Sequence, residues 1–238
     1  MSVAPSVTAI VSITLALGSW RERVVFIGGA IAPLLQTDPP FPHVRPTDDV
    51  DAVATTVNYT EHAKLEEFLR GEGFRHGVAL GPDQRAQHAH RWVSPTGVLF
   101  DLVPFGEHLG ASGNKWGAIA VETAVRTTVN GVEIRHVSAP GFLVLKWAAY
   151  LDRGANKPMD SEDIEDIVAL LVSRPLILEE IAAASDDIRR FLKDRGGELT
   201  VHADFADSLD AHLNNAENRI QVTDIARRAL QAIANADI

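Results

Sequence analysis

The hydrophobic period of the chain changes once, at Ser138–Ala139–Pro140, and no other feature constrains the fold as strongly. Ahead of that point, short apolar runs alternate with helical stretches and turn residues; beyond it the spacing is helical nearly throughout. Val24–Ile27 and residues 49–56 read as strands. Residues 90–105 read as two strands joined by a turn at Pro95–Gly97. Residues 125–138 read as a β-hairpin on Asn130–Gly131, the strongest short-range signal in the sequence. Residues 59–74 predict a helix with Thr60 as N-cap and a stop at Gly71 or Gly73. After Pro140, residues 141–154, 160–174, 176–184, 186–196 and a last stretch from about Thr223 show helical spacing. The fold class expected is α/β (α+β): a mixed-sheet lobe over residues 1–138 followed by an α-helical lobe over 139–238.

Charge and cysteine content narrow the chemistry. The chain has no cysteine, which excludes disulfides and thiolate metal sites, so any metal must sit on carboxylates or histidines. The net charge is −10, of which −3 falls on residues 1–138 and −7 on 139–238. Such a field does not attract nucleic acid by itself; a local basic groove or bound cations would be needed. The apolar stretch Val7–Leu17 has no basic segment ahead of it and is too short to span a bilayer. It reads as a helix packing on the first lobe, and the expectation is a cytoplasmic protein without membrane contact.

The candidate chemistry lies in the first lobe. In "VVFIGGAIAPLL" (24–35) a β-branched strand stops at Gly28 and Gly29 and resumes as a helical pattern. A glycine pair there serves either a tight turn or the close approach of a phosphate to the backbone. Downstream, "PTDDVDAVA" puts Asp49 and Asp51 two residues apart, on one face of a strand. Val50 then faces the core, with Val53 joining it only through a twist or bulge. Asp101 is the lone charge between Gly97 and Phe105, an expensive place for a carboxylate unless it is paired or coordinated. Three carboxylates on neighbouring strands suit two hard divalent ions. Taken singly, Asp48, Asp49 and Asp51 also suit a turn after Pro46, and Asp101 an exposed edge.

In order along the chain, strand–Gly–Gly–helix, Thr-x-Asp-x-Asp on a strand and a lone Asp on a later strand resemble the nucleotidyltransferase superfamily related to DNA polymerase β. Gly28, Gly29, Thr47, Asp49, Asp51 and Asp101 carry the resemblance. It implies that the glycine turn meets the phosphates of an NTP such as ATP and that Asp49, Asp51 and Asp101 bind two Mg²⁺ ions. Gly-Gly in place of the common Gly-Ser is the version of the branch with AbiEii-type toxins. In the helical lobe, Lys146, Ala149 and Arg153 share a helix face, and Asp163 and Asp166 lie three apart. They are similar to the Lys-x-x-Ala-x-x-x-Arg and Arg-Asp-x-x-Asp-Leu motifs of AbiEii/MenT-type toxin nucleotidyltransferases. Glu162 stands for the motif's Arg and Ile167 for its Leu. The resemblance implies that Lys146 meets nucleotide phosphates and that Asp163 supports it or assists proton transfer. From the residues alone, Lys146 could be a snorkelling surface lysine, and Asp163 and Asp166 a solvated helix face.

Arg75, His76, Arg85, His88, His90 and Arg91 form the most basic stretch of the chain and could line one wall of an acceptor groove. His88 and His90 would share a strand face, a weak metal signal without a third ligand. His43 and Arg45 precede the aspartates. The four tryptophans are scattered and read as core. The function expected is Mg²⁺-dependent transfer of an NMP from an NTP to an acceptor hydroxyl. The acceptor is open between the tRNA 3′ end, a protein and an aminoglycoside-like small molecule, and a toxin-like member would have an antitoxin protein partner. The alternatives are a non-catalytic nucleotide- or partner-binding module and a metal-dependent phosphohydrolase.

Overall fold

The structure, a computed structural model, describes residues 4–40, 47–56, 58–77, 90–105, 115–153, 157–214, 216 and 218–236. His43, Arg45, Arg85 and His88 lie outside the described residues. The chain forms two compact units, Met1–Pro33 with Arg45–Ser138, and Leu34–Val44 with Ala139–Ile238.

The elements up to Ser138 are α1 (Pro5–Ala16), β1 (Val24–Ile27), α2 (Ala32–Leu35), β2 (Asp49–Thr55), α3 (Tyr59–Gly71), β3 (Arg75–His76), β4 (Arg91–Val93), β5 (Leu99–Phe105), α4 (Lys115–Glu122), β6 (Ala124–Val129) and β7 (Val132–Val137). The strands make one mixed sheet in the order β3-β4-β5-β2-β1-β7-β6. β2 runs parallel to β5 and β1 parallel to β7, while the other neighbours are antiparallel. β1 lies inside the sheet, and Val24, Val25 and Phe26 are all buried, which is why its sequence is an unbroken apolar run. The Val7, Ile10 and Ile13 stripe of α1 is buried, and the helix packs on β2 and β7. Asn130 and Gly131 take positive φ of 50° and 79°, as a two-residue turn between right-twisted strands requires.

β2 and β5 decide where the site can be. Their pairing is continuous from Asp49↔Leu99 to Thr55↔Phe105 without a bulge. Val50, Ala52 and Ala54 of β2 and Phe100 and Leu102 of β5 point to the fully buried face. The rings of Phe26 and Phe74 lie 6.4 and 6.1 Å from that of Phe100. Burying one such side chain stabilises the fold by about 1.5–3 kcal/mol. Val53 falls on the opposite face, with Asp49 and Asp51, and is buried there without any bulge. Both faces of β2 are therefore covered from Ala52 to Ala54, while Asp49 and Asp51 at its start stay half-buried.

α3 is capped two residues earlier than Thr60 suggests: the Asn58 side chain accepts a hydrogen bond from the Glu61 N–H at 2.9 Å. A Thr at 60 cannot cap a helix whose first residue is Tyr59. At the other end, Gly73 takes φ of 84°, and the N–H groups of Gly73 and Phe74 donate to the carbonyls of Arg70 and Leu69. Gly73 thus provides the left-handed stop and Gly71 remains helical.

The second unit holds α5 (Ala139–Asp152), α6 (Glu162–Ser173), α7 (Ile177–Ala182), α8 (Asp186–Thr200), α9 (Phe205–His212) and α10 (Arg219–Ala234). α5 packs on α6 and α8, and α10 packs on α6 and α8. Phe142, Leu143, Trp147, Ile164, Ile167, Leu192 and Leu230 are among its buried side chains. No described helix is long and apolar enough to cross a membrane.

Candidate functional site

Period-2 geometry brings the three carboxylates together. Asp49 and Asp51 open β2 on its less covered face, and the parallel register sets Asp51 beside Asp101 of β5. One carboxylate oxygen from each of Asp49, Asp51 and Asp101 lies within 4.8 Å of the others. All three residues are half-buried. Like charges held this close on one sheet face repel, so the arrangement favours a cation among them. Hard carboxylate oxygens at this spacing fit a divalent ion of the Mg²⁺ type.

The glycine turn touches the same spot. β1 ends at Ile27, paired with Asp51, and Gly28 follows with φ 73° and ψ −171°, a conformation open essentially to glycine alone. A Cβ at Gly28 would come within 2.9 Å of both Cβ and Cγ of Asp51, and closer still to its Oδ2. Gly28 therefore leaves room for the Asp51 side chain, a requirement internal to the protein. Gly29 opens the 3₁₀ turn Gly29–Ile31 that follows. Thr47 orients Asp49: its hydroxyl is 3.2 Å from the Asp49 carbonyl and 3.3 Å from Asp49 Oδ1.

The sequence reading missed one member of the cluster. Arg91 on β4 lies directly opposite Asp101 in the antiparallel pair. Its Nε donates to Asp101 Oδ1 at 2.7 Å and its Nη2 to Asp101 Oδ2 at 2.6 Å, a two-point pairing. Nη2 also reaches Asp49 Oδ2 at 3.1 Å. Hydrogen bonding to Asp101 raises the Arg91 pKa above its ordinary value against the opposing effect of burial, and the charges of Asp101, Asp49 and Asp51 add to the rise. The signal was available in the hairpin: the Ser94–Val98 turn pairs Trp92 with Phe100, and this register alone places Arg91 against Asp101. Nearby, His76 stacks on buried Trp92 at 3.9 Å between ring centroids, and Arg70 lies 5.6 Å from that ring. Burial holds the His90 imidazole below its ordinary pKa.

In the second unit, Lys146 of α5 is buried against α6. Its ammonium pairs with Asp166 Oδ2 at 2.5 Å and Asp163 Oδ1 at 3.3 Å, while Arg153 meets Asp163 Oδ2 at 2.5 Å. Asp163 and Asp166 are 2% and 4% exposed, so they are not a solvated helix face, and Lys146, at 9%, is no snorkelling surface residue. Ser161 caps α6, its hydroxyl accepting from the Ile164 N–H at 3.3 Å. Glu162 stands in the first turn of that helix with Asp163 and Glu165, where negative charge is favourable.

No family model and no curated protein matches the chain. Among solved structures it is similar to an antigenic nucleotidyltransferase-like protein from Paracoccidioides brasiliensis, at 22% identity and TM-score 0.49, over 87% of this chain and 92% of that one. It is also similar to a candidate nucleotidyltransferase from H. pylori, at 11% identity and TM-score 0.45, over 98% of this chain and 96% of that one. At such identities, what the site does has to be read from its own side chains.

Proposed function

We propose that the protein is a Mg²⁺-dependent nucleotidyltransferase that moves an NMP from an NTP to an acceptor hydroxyl. The observation that carries the proposal is the convergence of Asp49, Asp51 and Asp101 within 4.8 Å, at the mouth of the Gly28 turn. Asp49 and Asp51 would hold the Mg²⁺ ions, and Asp101 would complete the site. Bound Mg²⁺ would supply charge neutralisation on the phosphates and a more acidic acceptor hydroxyl. The acceptor oxygen forms a bond to the α-phosphorus as the bond from that phosphorus to the bridging oxygen breaks. Pyrophosphate leaves with the electron pair, and the acceptor proton passes to Asp101. Backbone N–H groups of Gly28 and Gly29 would face the phosphates, and Thr47 would steady Asp49. Lys146 and Asp163 enter as nucleotide-binding residues through the family motif alone. Their ion pairs are accounted for by the packing of α5 on α6.

A second reading, nucleotide binding without turnover, has one observation in its favour: Arg91 already occupies both oxygens of Asp101. The test is incubation with α-labelled NTPs, Mg²⁺ and total cell RNA. Label retained on RNA, protein or a small hydroxyl compound supports transfer and identifies the acceptor class. A tRNA 3′-end product would support the toxin-like reading and the search for an antitoxin. Release of free NMP alone would favour a phosphohydrolase, and binding without either product the second reading.

A further inference from the structure

Arg91 is positioned by the fold as firmly as the carboxylates are. The register Arg91↔Asp101 continues the row that Asp51 and Asp101 begin, so β2, β5 and β4 present Asp, Asp and Arg side by side. The stem is also provided for. The Gly77 N–H donates to the Arg91 carbonyl at 2.8 Å, and a Cβ at Gly77 would come within 2.7 Å of Arg91 Cγ. A side chain at position 77 would force the arginine stem to shift. The guanidinium then spends three N–H···O contacts on two of the three carboxylates.

A guanidinium and a divalent ion cannot share those oxygens without strong repulsion. Two positive charges, one of them double, repel strongly within about 5 Å at the effective dielectric of a half-buried site. Resting on the metal-dependent reading above, we propose that Arg91 is the resident counter-cation of this site. It holds Asp101 and Asp49 in place in the metal-free protein and is displaced from them when a divalent ion loads. The site thus has two alternative states, one closed by the arginine and one by the metal.

The test compares Mn²⁺ affinity, by titration calorimetry and by the paramagnetic resonance of free Mn²⁺, in the wild type, Arg91→Gln and Arg91→Lys. Losing the competing cation should tighten Mn²⁺ binding by at least about tenfold in Arg91→Gln. Arg91→Lys, which keeps the charge but not the two-point pairing, should fall between. Without metal, Arg91→Gln should melt lower than the wild type, and saturating Mn²⁺ should close that gap. If Arg91→Gln does not fold, the same direction of change in Arg91→Lys decides. Mn²⁺ binding that is unchanged or weaker in both variants overturns the inference and leaves the metal site standing. No Mn²⁺ binding by any of the three proteins overturns both.

Discussion

Replacing Lys146 by Ala should unfold more than it disarms. The ammonium lies between Asp166, 2.5 Å away, and Asp163, 3.3 Å away, whose side chains are only 5% and 2% exposed. Arg153, whose side chain is 68% exposed, remains on Asp163, while Asp166 loses its Lys146 contact. Removing one partner of a buried ion pair costs about 3–5 kcal/mol because the opposite charge stays behind. For a chain of this size that corresponds to a fall in Tm of roughly 6–20 °C. Thermal and urea unfolding without nucleotide or metal measures it. The double variant Lys146→Met with Asp166→Leu leaves Asp163 to Arg153 and fills the volume with apolar atoms. It should return to within about 1 kcal/mol of the wild type or exceed it. A Lys146→Ala protein that loses less than about 1 kcal/mol would refute this reasoning. If its NTP affinity collapsed at the same time, Lys146 would be a phosphate contact first and a packing residue second.

Three other outcomes follow from the geometry. Gly28→Ala should lose at least about 2 kcal/mol, since φ of 73° with ψ of −171° is costly for alanine, and the added methyl should push Asp51 aside and weaken Mn²⁺ binding; an unchanged melting curve would contradict this. Asp51→Asn should reduce nucleotide transfer by about two orders of magnitude or more while leaving the metal-free protein as stable as before, measured by single-turnover assay and calorimetry. Asn58→Ala should cost about 1 kcal/mol through loss of the α3 cap, with no effect on Mn²⁺ affinity, and Thr60→Ala should cost less.

The elements that the sequence announces are those with strong local physics. The Asn130–Gly131 turn and the start of α5 at Ala139 follow from positive φ and from a change of hydrophobic period. The common face of Asp49 and Asp51 follows from strand geometry, and Asp101 from the cost of a lone carboxylate in an apolar run. Two helices went unread for physical reasons. α4 carries Gly117, a poor helix residue that is needed because a Cβ there would meet the Phe105 ring at 2.6 Å. α9 has only Leu209 as a buried large apolar residue and so shows little period. Arg91 reads as one more basic residue until the strand register is known. Burial of Asp163 and Asp166 depends on α6 being covered along nearly its whole length, which its acidic first turn conceals.

The parallel pairing of β2 with β5 has a kinetic consequence. Two of the three carboxylates come from β2, but the third waits for a strand that can join only after α3, β3 and β4 have been bridged. Closing that loop costs chain entropy before any contact rewards it, and sheets dominated by such distant pairings fold slowly. A cation that binds these aspartates would therefore do so late in refolding. A Mn²⁺ signal followed during refolding should lag behind the helical circular dichroism of the chain, and it would time the moment at which the sheet closes.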